Sequence, residues 1–307
     1  MYDLTLRDAV LVAVSYSDIF SYPLTIEELI RFLPYRSDAS RIRIQRVVNA
    51  LHLLTRDGFI TFSKASGYIA LRKKRDTIAQ RKWNIVYSVL WIFRYIPTVR
   101  LVAVTGALSM NNVEKKDDID LLVIAEGKSV WITRFIVTFL FDVFGIRRKP
   151  NQRHVSNLFC LNMYLSSDAL EIPKEKRNFY IAHEIVQMVP VFDRKNTYNL
   201  FCQKNLWVRD MLPHALKRVQ IRTGHTRIGF GIVGEWVQQL FFTSMEYLDV
   251  LFMRVQLLYM KTRHTREVVL RDMIRFHPFD ANEWVYKKLA IRLRRKKIPL
   301  DKIFFSH

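Results

Sequence analysis

Cysteine is nearly absent from this chain of 307 residues, which contains only Cys160 and Cys202. Neither cysteine belongs to a CxxC motif or to a His/Cys spacing that would hold zinc. A disulfide framework and a structural zinc site are therefore not expected. Such sparing use of cysteine is typical of a reducing compartment, and we expect a cytoplasmic protein.

Acidic residues are also scarce, since 28 Asp and Glu stand against 49 Lys and Arg and the formal net charge is +21. A field of this sign favours partners that carry phosphate groups, such as nucleotides, nucleic acids or an anionic membrane surface. The alternative is that the charge only keeps the surface solvated.

Long apolar runs are missing as well. The most apolar stretch after the N-terminus, residues 130–145, is interrupted by Arg134 and Asp142. It falls short of the roughly 20 apolar residues that a membrane-spanning helix needs. We therefore expect a buried core helix here and no integral membrane segment.

The first 72 residues predict three helices followed by a β-hairpin. Apolar spacing predicts a helix over residues 5–20, and a capping box of Thr25 and Glu28 opens the second helix. The third helix is expected from about Ser40 to Arg56. The segments FITFS and YIAL, joined by the turn KASG, predict a hairpin over residues 59–71.

Three helices and a hairpin in this order resemble a winged-helix domain, whose third helix enters a major groove of DNA. The resemblance implies that the free face of the third helix contacts nucleic acid, through Arg41, Arg43, Arg46 and Asn49. The alternative is that this helix and the hairpin pack on the rest of the chain or on a partner protein.

After residue 72 the pattern changes. A basic helical stretch leads to Pro97, and the strand-like runs VRLVAV, IDLLVIA and VSNLFCLNMYLS then alternate with a helix near residues 129–144. Beyond about residue 175 the pattern is helical. We therefore expect an α+β protein with a winged-helix domain (1–72), a connector helix with a small mixed-sheet α/β domain (73–175) and a helical C-terminal domain (176–307).

Two aspartates mark the start of the second strand-like run. Asp118 and Asp120 are two residues apart, and residues at this spacing project from the same face of a strand. Since two ionised carboxylates side by side repel each other, a fold keeps them where they hold a cation. Mg²⁺, with Mn²⁺ as the alternative, is typically bound by one or two carboxylates together with substrate phosphates.

A glycine turn precedes the aspartates. Gly106 ends the strand-like run VRLVAVT and permits a tight turn whose backbone N–H groups, at Ala107 and Leu108, can point at an anion. A phosphate on this turn, linked through a cation to the aspartates, is the equipment of phosphoryl or nucleotidyl transfer.

This segment resembles the signature of the DNA polymerase beta-like nucleotidyltransferases over roughly residues 98–166. That signature is a glycine and a small residue at the end of one strand, followed by Asp–apolar–Asp at the start of the next. Asp118 and Asp120 follow Gly106 by twelve and fourteen residues, which is the spacing of many small members. The resemblance implies an enzyme that moves a nucleoside monophosphate from a nucleoside triphosphate to a hydroxyl. Both aspartates would bind the metal, and the triphosphate would lie on Thr105, Gly106, Ala107 and Ser109.

The chain departs from the family at two positions. Ala107 replaces the usual serine, so Thr105 or Ser109 would have to supply the hydroxyl. The third carboxylate, which the family often has on a later strand, is also missing. Strict alternation in LFCLNMYLS predicts a buried face of Phe159, Leu161, Met163 and Leu165, opposite Cys160, Asn162 and Tyr164, and so puts Asn162 at the third-acid position.

The missing acid leaves two alternatives. Another carboxylate serves as general base, with Glu184 as the first candidate, next to His183, and Glu171 as the second. Otherwise the protein is a catalytically silent sensor that binds a nucleotide, or a nucleic-acid-binding regulator.

Overall fold

A computed structural model describes residues 4–36, 44–60, 65–149, 152–216, 246–258, 268–269, 271–275, 280–294 and 298. Over these residues the fold combines helices with one mixed sheet, which confirms the α+β class.

The N-terminal part contains three helices, as expected: α1 (Leu6–Ile19), α2 (Ile26–Arg31) and α3 (Ile44–Arg56). The capping box predicted for the second helix is present, with both of its hydrogen bonds. Helix α3 buries Val47, Ala50 and Leu54, whereas Ile44 is 56 % exposed. Helical spacing in the sequence predicts Ile44, Val47, Val48 and Leu51 on one face, so the buried face is rotated from the predicted one. The expected start of this helix lies outside the described residues.

The hairpin prediction is wrong for its second strand. Residues 68–71 lie inside α4 (Ala65–Arg94), a helix of 30 residues, so the expected domain boundary at residue 72 also falls within a helix. The segment is rich in Ala, Leu, Lys, Arg and Gln, which favour helix. Two contacts hold the helix in place: Arg72 pairs with Glu28 at 2.7 Å, and Arg75 donates to the Ser21 carbonyl at 2.7 Å.

A six-stranded sheet follows, with the strand order β4-β1-β2-β3-β6-β5. Strands β2 and β3 are parallel, and every other neighbouring pair is antiparallel. The strands are β1 (Val99–Val104), β2 (Ile119–Ala125), β3 (Phe159–Ser166), β4 (Val189–Asp193), β5 (Val268–Val269) and β6 (Met273–Arg275).

The expectation of a helical region over 176–307 is wrong at β4, β5 and β6. These strands extend the sheet that β1, β2 and β3 begin, so both parts of the chain share one sheet. They are short, and pairing supports them more than local sequence does: β4 pairs with β1, β6 with β3, and β5 with β6. Among the described residues of this region, the other elements are helices: α7 (Phe179–Gln187), α8 (Thr197–Lys204), α9 (Val208–Met211), α10 (246–258) and α11 (Asp280–Leu293).

The two faces of the sheet belong to different cores. One face, which includes Val102, Ile119 and Val123, shares a core with buried residues of α4 and of α6 (Val130–Val143). The opposite face shares its core with buried residues of α1, α7 and α11. Helix α6 is thus the core helix that the interrupted apolar stretch predicts. Among the described helices, none has the length and apolar character needed to cross a membrane.

Candidate functional site

The turn after β1 packs directly against the second aspartate. The Thr105 N–H donates to the Asp120 carbonyl at 3.0 Å, and Gly106 begins the short helix α5 (Gly106–Ser109) with φ of +65°. A Cβ at Gly106 would lie 2.6 Å from Asp120 Oδ2. Glycine is therefore required both by the backbone angle and by the approach of the carboxylate.

The structure brings the two aspartates together. Asp118 lies just before β2 and Asp120 is its second residue, and their ligand atoms lie within 4.8 Å of each other. Burial is the main cause that raises the pKa of Asp120 to about 7, and the charges of Asp118 and Glu184 add to it. Asp118 instead pairs with Arg148, whose Nη1 lies 2.6 Å from its Oδ2.

A buried lysine holds the loop that carries the aspartates. Lys82 on α4 is 1 % exposed, and its Nζ donates to the Asp117 carbonyl at 2.6 Å and to Asn157 Oδ1 at 3.0 Å. Burial lowers the pKa of Lys82. The Asp117 side chain accepts from the Glu114 N–H at 2.7 Å, so it shapes the loop. No sequence pattern pointed to Lys82, because the contact joins residues 35 positions apart.

Cys160 takes the place expected for Asn162. In the parallel register Asp120 lies opposite Cys160, and the thiol completes a group with Asp118 and Asp120 whose ligand atoms are all within 4.8 Å. Burial raises the pKa of Cys160. The sequence alone did not assign Cys160 to the site, because the register of a parallel pair is not visible in one strand.

A bulge explains why strict alternation is wrong along β3. Leu121 pairs with Leu161 but Leu122 pairs with Met163, so residue 162 lies at the irregularity. Side chains change faces at this point. Phe159 and Leu161 therefore lie on the opposite face from Met163 and Leu165, and Tyr164 is fully buried in the core of α4 and α6.

One cavity of about 810 Å³ joins the glycine turn to the second aspartate. This volume is within the usual range of small-molecule sites. Thr105, Gly106 and Ala107 line it, as does Asp120. Ser109, the other expected phosphate contact, is not among the lining residues and donates its hydroxyl to the Gly106 carbonyl at 2.8 Å.

The structure distinguishes the two candidate bases. Glu184 on α7 lines the cavity that contains Asp120. Glu171 is 59 % exposed, pairs with Arg177 and does not line the cavity. His183, next to Glu184, is buried and stacks on Tyr16 with ring centroids 3.9 Å apart, so it belongs to the core.

The expected nucleic-acid contacts are only partly described. Arg46 and Asn49 are exposed on α3, where Gln45 donates to Asn49 Oδ1 at 3.0 Å. Arg41 and Arg43 lie outside the described residues. A basic exposed face on α3 is therefore present at Arg46.

Two of the three grouped donors, the carboxylates of Asp118 and Asp120, are of the kind that a hard divalent cation binds, and the third is the Cys160 thiol. Carboxylate oxygens are the ligands that Mg²⁺ and Mn²⁺ prefer, whereas a cysteine thiol suits softer metals. Asp118 and Asp120 supply the oxygens, and Arg148 already places one positive charge beside them. Two carboxylates leave room for oxygen ligands from a substrate.

Comparison of the chain with protein-family models, with curated proteins and with solved structures gives no match. The resemblance to nucleotidyltransferases therefore depends on the glycine turn, the aspartate spacing and the strands that carry them.

Proposed function

We propose that this protein is a metal-dependent nucleotidyltransferase, which moves a nucleoside monophosphate from a nucleoside triphosphate to a hydroxyl of an acceptor. One observation carries the proposal: Gly106, Asp120 and Glu184 line a single cavity, with the glycine turn packed against the aspartate. In this proposal the phosphate site, one of the two metal-binding carboxylates and the base face the same cavity, whereas Asp118 is not among its lining residues.

Each group has a separate task in this proposal. The backbone N–H groups of the Gly106 turn bind the phosphates. Asp118 and Asp120 would hold Mg²⁺ or Mn²⁺, which when bound supplies neutralisation of the phosphate charge. Glu184 accepts the proton of the attacking hydroxyl.

The reaction is a substitution at phosphorus. The acceptor oxygen forms a bond to the α-phosphorus, the bond from that phosphorus to the bridging oxygen of the β-phosphate breaks, and pyrophosphate leaves with the electron pair. The hydroxyl proton passes to Glu184, a residue of α7 that lines the same cavity. General-base catalysis of this kind contributes roughly 10² to 10⁴ in rate.

A second function is favoured by Cys160. The Cys160 thiol lies where nucleotidyltransferases of this type often have a third carboxylate. Asp118 forms an ion pair with Arg148. Both features suit a nucleotide-binding sensor that does not turn over its ligand.

The test uses nucleoside triphosphates labelled at the α-phosphate, Mg²⁺ and fractions of a cell extract. We expect label to move to an acceptor, and Glu184→Gln to slow the transfer by roughly 10² to 10⁴ with little change in triphosphate affinity. Glu171→Gln is the matched control, since Glu171 is exposed and outside the cavity. It should transfer at the wild-type rate.

Calorimetry of triphosphate binding separates the two functions. Asp118→Asn and Asp120→Asn should each abolish Mg²⁺-dependent binding, and unchanged binding in both variants would contradict the site. Binding by the wild type without transfer of label to any fraction would favour the sensor.

A further inference from the structure

Beyond Asp120 the floor of the cavity is apolar. The next residue of β2 on the same face is Leu122, which pairs with Met163 on β3. Leu165, further along β3, pairs with Met273 on β6. All four of these side chains line the cavity. Its floor is therefore a carboxylate at Asp120 and hydrocarbon from Leu122 onward.

The opposite wall of this region is aromatic. Tyr16 of α1, Phe20 directly after that helix, Tyr180 of α7 and Trp284 of α11 line it. The rings of Phe20 and Trp284 lie edge to face with centroids 6.0 Å apart, and Tyr16 packs on Phe20 at 5.4 Å. Trp284 is 43 % exposed and therefore stands at the rim.

The charged lining groups concentrate at the other end. Four of them, Arg75, Glu114, Lys116 and Asp117, come from α4 or from the loop that leads into β2, and Asp120 is the second residue of β2. Arg75 is held there by hydrogen bonds to the Ser21 carbonyl at 2.7 Å and to Asn112 at 2.6 Å. Two further charged residues line the cavity: Glu184 of α7, and Lys176 of the turn before that helix. The cavity thus has a polar end near Gly106 and an apolar, aromatic-walled end over β3 and β6.

We propose that the apolar end binds a compact, uncharged molecule that carries a hydroxyl on an aromatic or hydrocarbon body, such as a phenol or a naphthol. The body lies on Leu122, Met163 and Met273 beneath the aromatic wall, and the hydroxyl points to the end where Asp120 and Glu184 lie. Burial of an apolar body between such walls favours binding. That this hydroxyl is the acceptor rests on the proposed function, whereas the apolar subsite does not.

The chemistry of the walls decides against a charged body. A polyanionic strand end would place phosphates against methionine, leucine and aromatic side chains, and these side chains offer a phosphate no compensating charge. A hydrophobic alcohol leaves only its hydroxyl to be satisfied, at the end where polar groups are available. The nucleobase of the triphosphate is the competing occupant, and a competition titration distinguishes the two.

The experiment is a calorimetric titration of the full chain with 2-naphthol, in EDTA so that no metal contributes. Trp284→Ala removes the rim of the aromatic wall and should weaken binding roughly tenfold. Trp91→Ala is the matched control, because Trp91 is an exposed tryptophan of α4 that does not line the cavity. Met273→Gln, a change of similar volume on the floor, should also weaken binding. No binding by the wild type, or equal binding by all four proteins, overturns the subsite.

Two further titrations separate this inference from the proposed function. Asp118→Asn, at a residue that is not among those lining the cavity, should keep its affinity for 2-naphthol while losing Mg²⁺-dependent triphosphate binding. The wild type should bind 2-naphthol equally well with and without saturating triphosphate and Mg²⁺; competition between them assigns the apolar end to the nucleobase and overturns the inference. Retained naphthol binding together with absent triphosphate binding overturns the proposed function alone.

Discussion

Replacing His183 with phenylalanine should make the folded protein less sensitive to acid. His183 is fully buried on α7, where its ring stacks on Tyr16 and meets Phe179 edge to face with centroids 4.5 Å apart. Its Nδ1 lies 2.9 Å from the Phe179 carbonyl, a contact that assigns the proton of the neutral ring to Nδ1. Burial lowers the pKa of His183 from 6.5 to about 3.

The sign and size of the effect follow from linkage. Below pH 6.5 the unfolded chain binds a proton at this position that the folded protein excludes, so stability falls as pH drops and levels off near the folded pKa of about 3. At pH 4.5 the loss corresponds to about 2.7 kcal/mol, at about 1.36 kcal/mol for each pH unit below the unfolded pKa.

Phenylalanine keeps a ring of similar shape against Tyr16 and does not titrate. It gives up one hydrogen bond, which costs about 1 kcal/mol at every pH. The His183→Phe variant should therefore be slightly less stable than the wild type at pH 7.5 and more stable at pH 4.5.

The assay is urea unfolding followed by circular dichroism between pH 4.5 and 7.5. The difference in unfolding free energy between the two proteins should change by about 2.7 kcal/mol over this range. His52→Phe is the control, since His52 is exposed on α3 and its replacement should leave the pH dependence as in the wild type. Parallel curves for wild type and His183→Phe down to pH 4.5 would refute the reasoning.

Three further changes test the surroundings of the site. Lys82→Met removes the donor to the Asp117 carbonyl and to Asn157 Oδ1, and should cost about 1–3 kcal/mol of unfolding free energy and weaken Mg²⁺-dependent triphosphate binding; calorimetry with wild-type affinity would contradict the proposed support of the aspartate loop. Arg148→Gln removes the cation that pairs with Asp118 and should tighten binding of Mn²⁺ alone by roughly tenfold, about 1.4 kcal/mol; weaker binding in an Mn²⁺ titration would show that Arg148 helps to form the site. Arg46→Glu should lower the salt dependence of duplex binding by about one unit of slope for each phosphate that the protein no longer neutralises; no duplex binding by the wild type at low salt would leave α3 as a packing helix.

Short-range signals in the sequence were sufficient to predict several elements of secondary structure. The capping box of Thr25 and Glu28 and the helix near 129–144 were predicted and are present, because each depends on residues close together in the chain. The approach of Asp118 to Asp120 is of the same kind, since the pleat of a strand sets it.

Elements whose state depends on distant partners were predicted wrongly. The four-residue run YIAL has the alternation of a strand, but the contacts of Arg72 with Glu28 and of Arg75 with the Ser21 carbonyl hold the segment in α4. Strands β4, β5 and β6 have two to five residues each; β4 pairs with β1 and β6 with β3, both far away in the chain, and β5 pairs with β6. Local propensity is a weak guide in such cases.

The same distinction applies to the candidate site. Gly106, Asp118 and Asp120 could be proposed from spacing alone. Arg148 is 30 residues from Asp118, and Cys160 reaches the site through a parallel register interrupted by a bulge. The bulge is not visible in FCLNMYLS, because every residue there is compatible with regular alternation.

The choice between enzyme and sensor depends on where a base can approach the substrate. Cys160 lies beside Asp120 on the sheet, and burial raises the pKa of its thiol, so it does not replace a carboxylate as proton acceptor. Glu184 lines the cavity from α7, next to His183, which packs in the core against Tyr16. An acceptor hydroxyl would then sit between sheet and helix, with its proton directed to α7 and its oxygen to the phosphate on the Gly106 turn. This arrangement needs an acceptor body that fits between the same two layers, and the apolar end of the cavity lies between them.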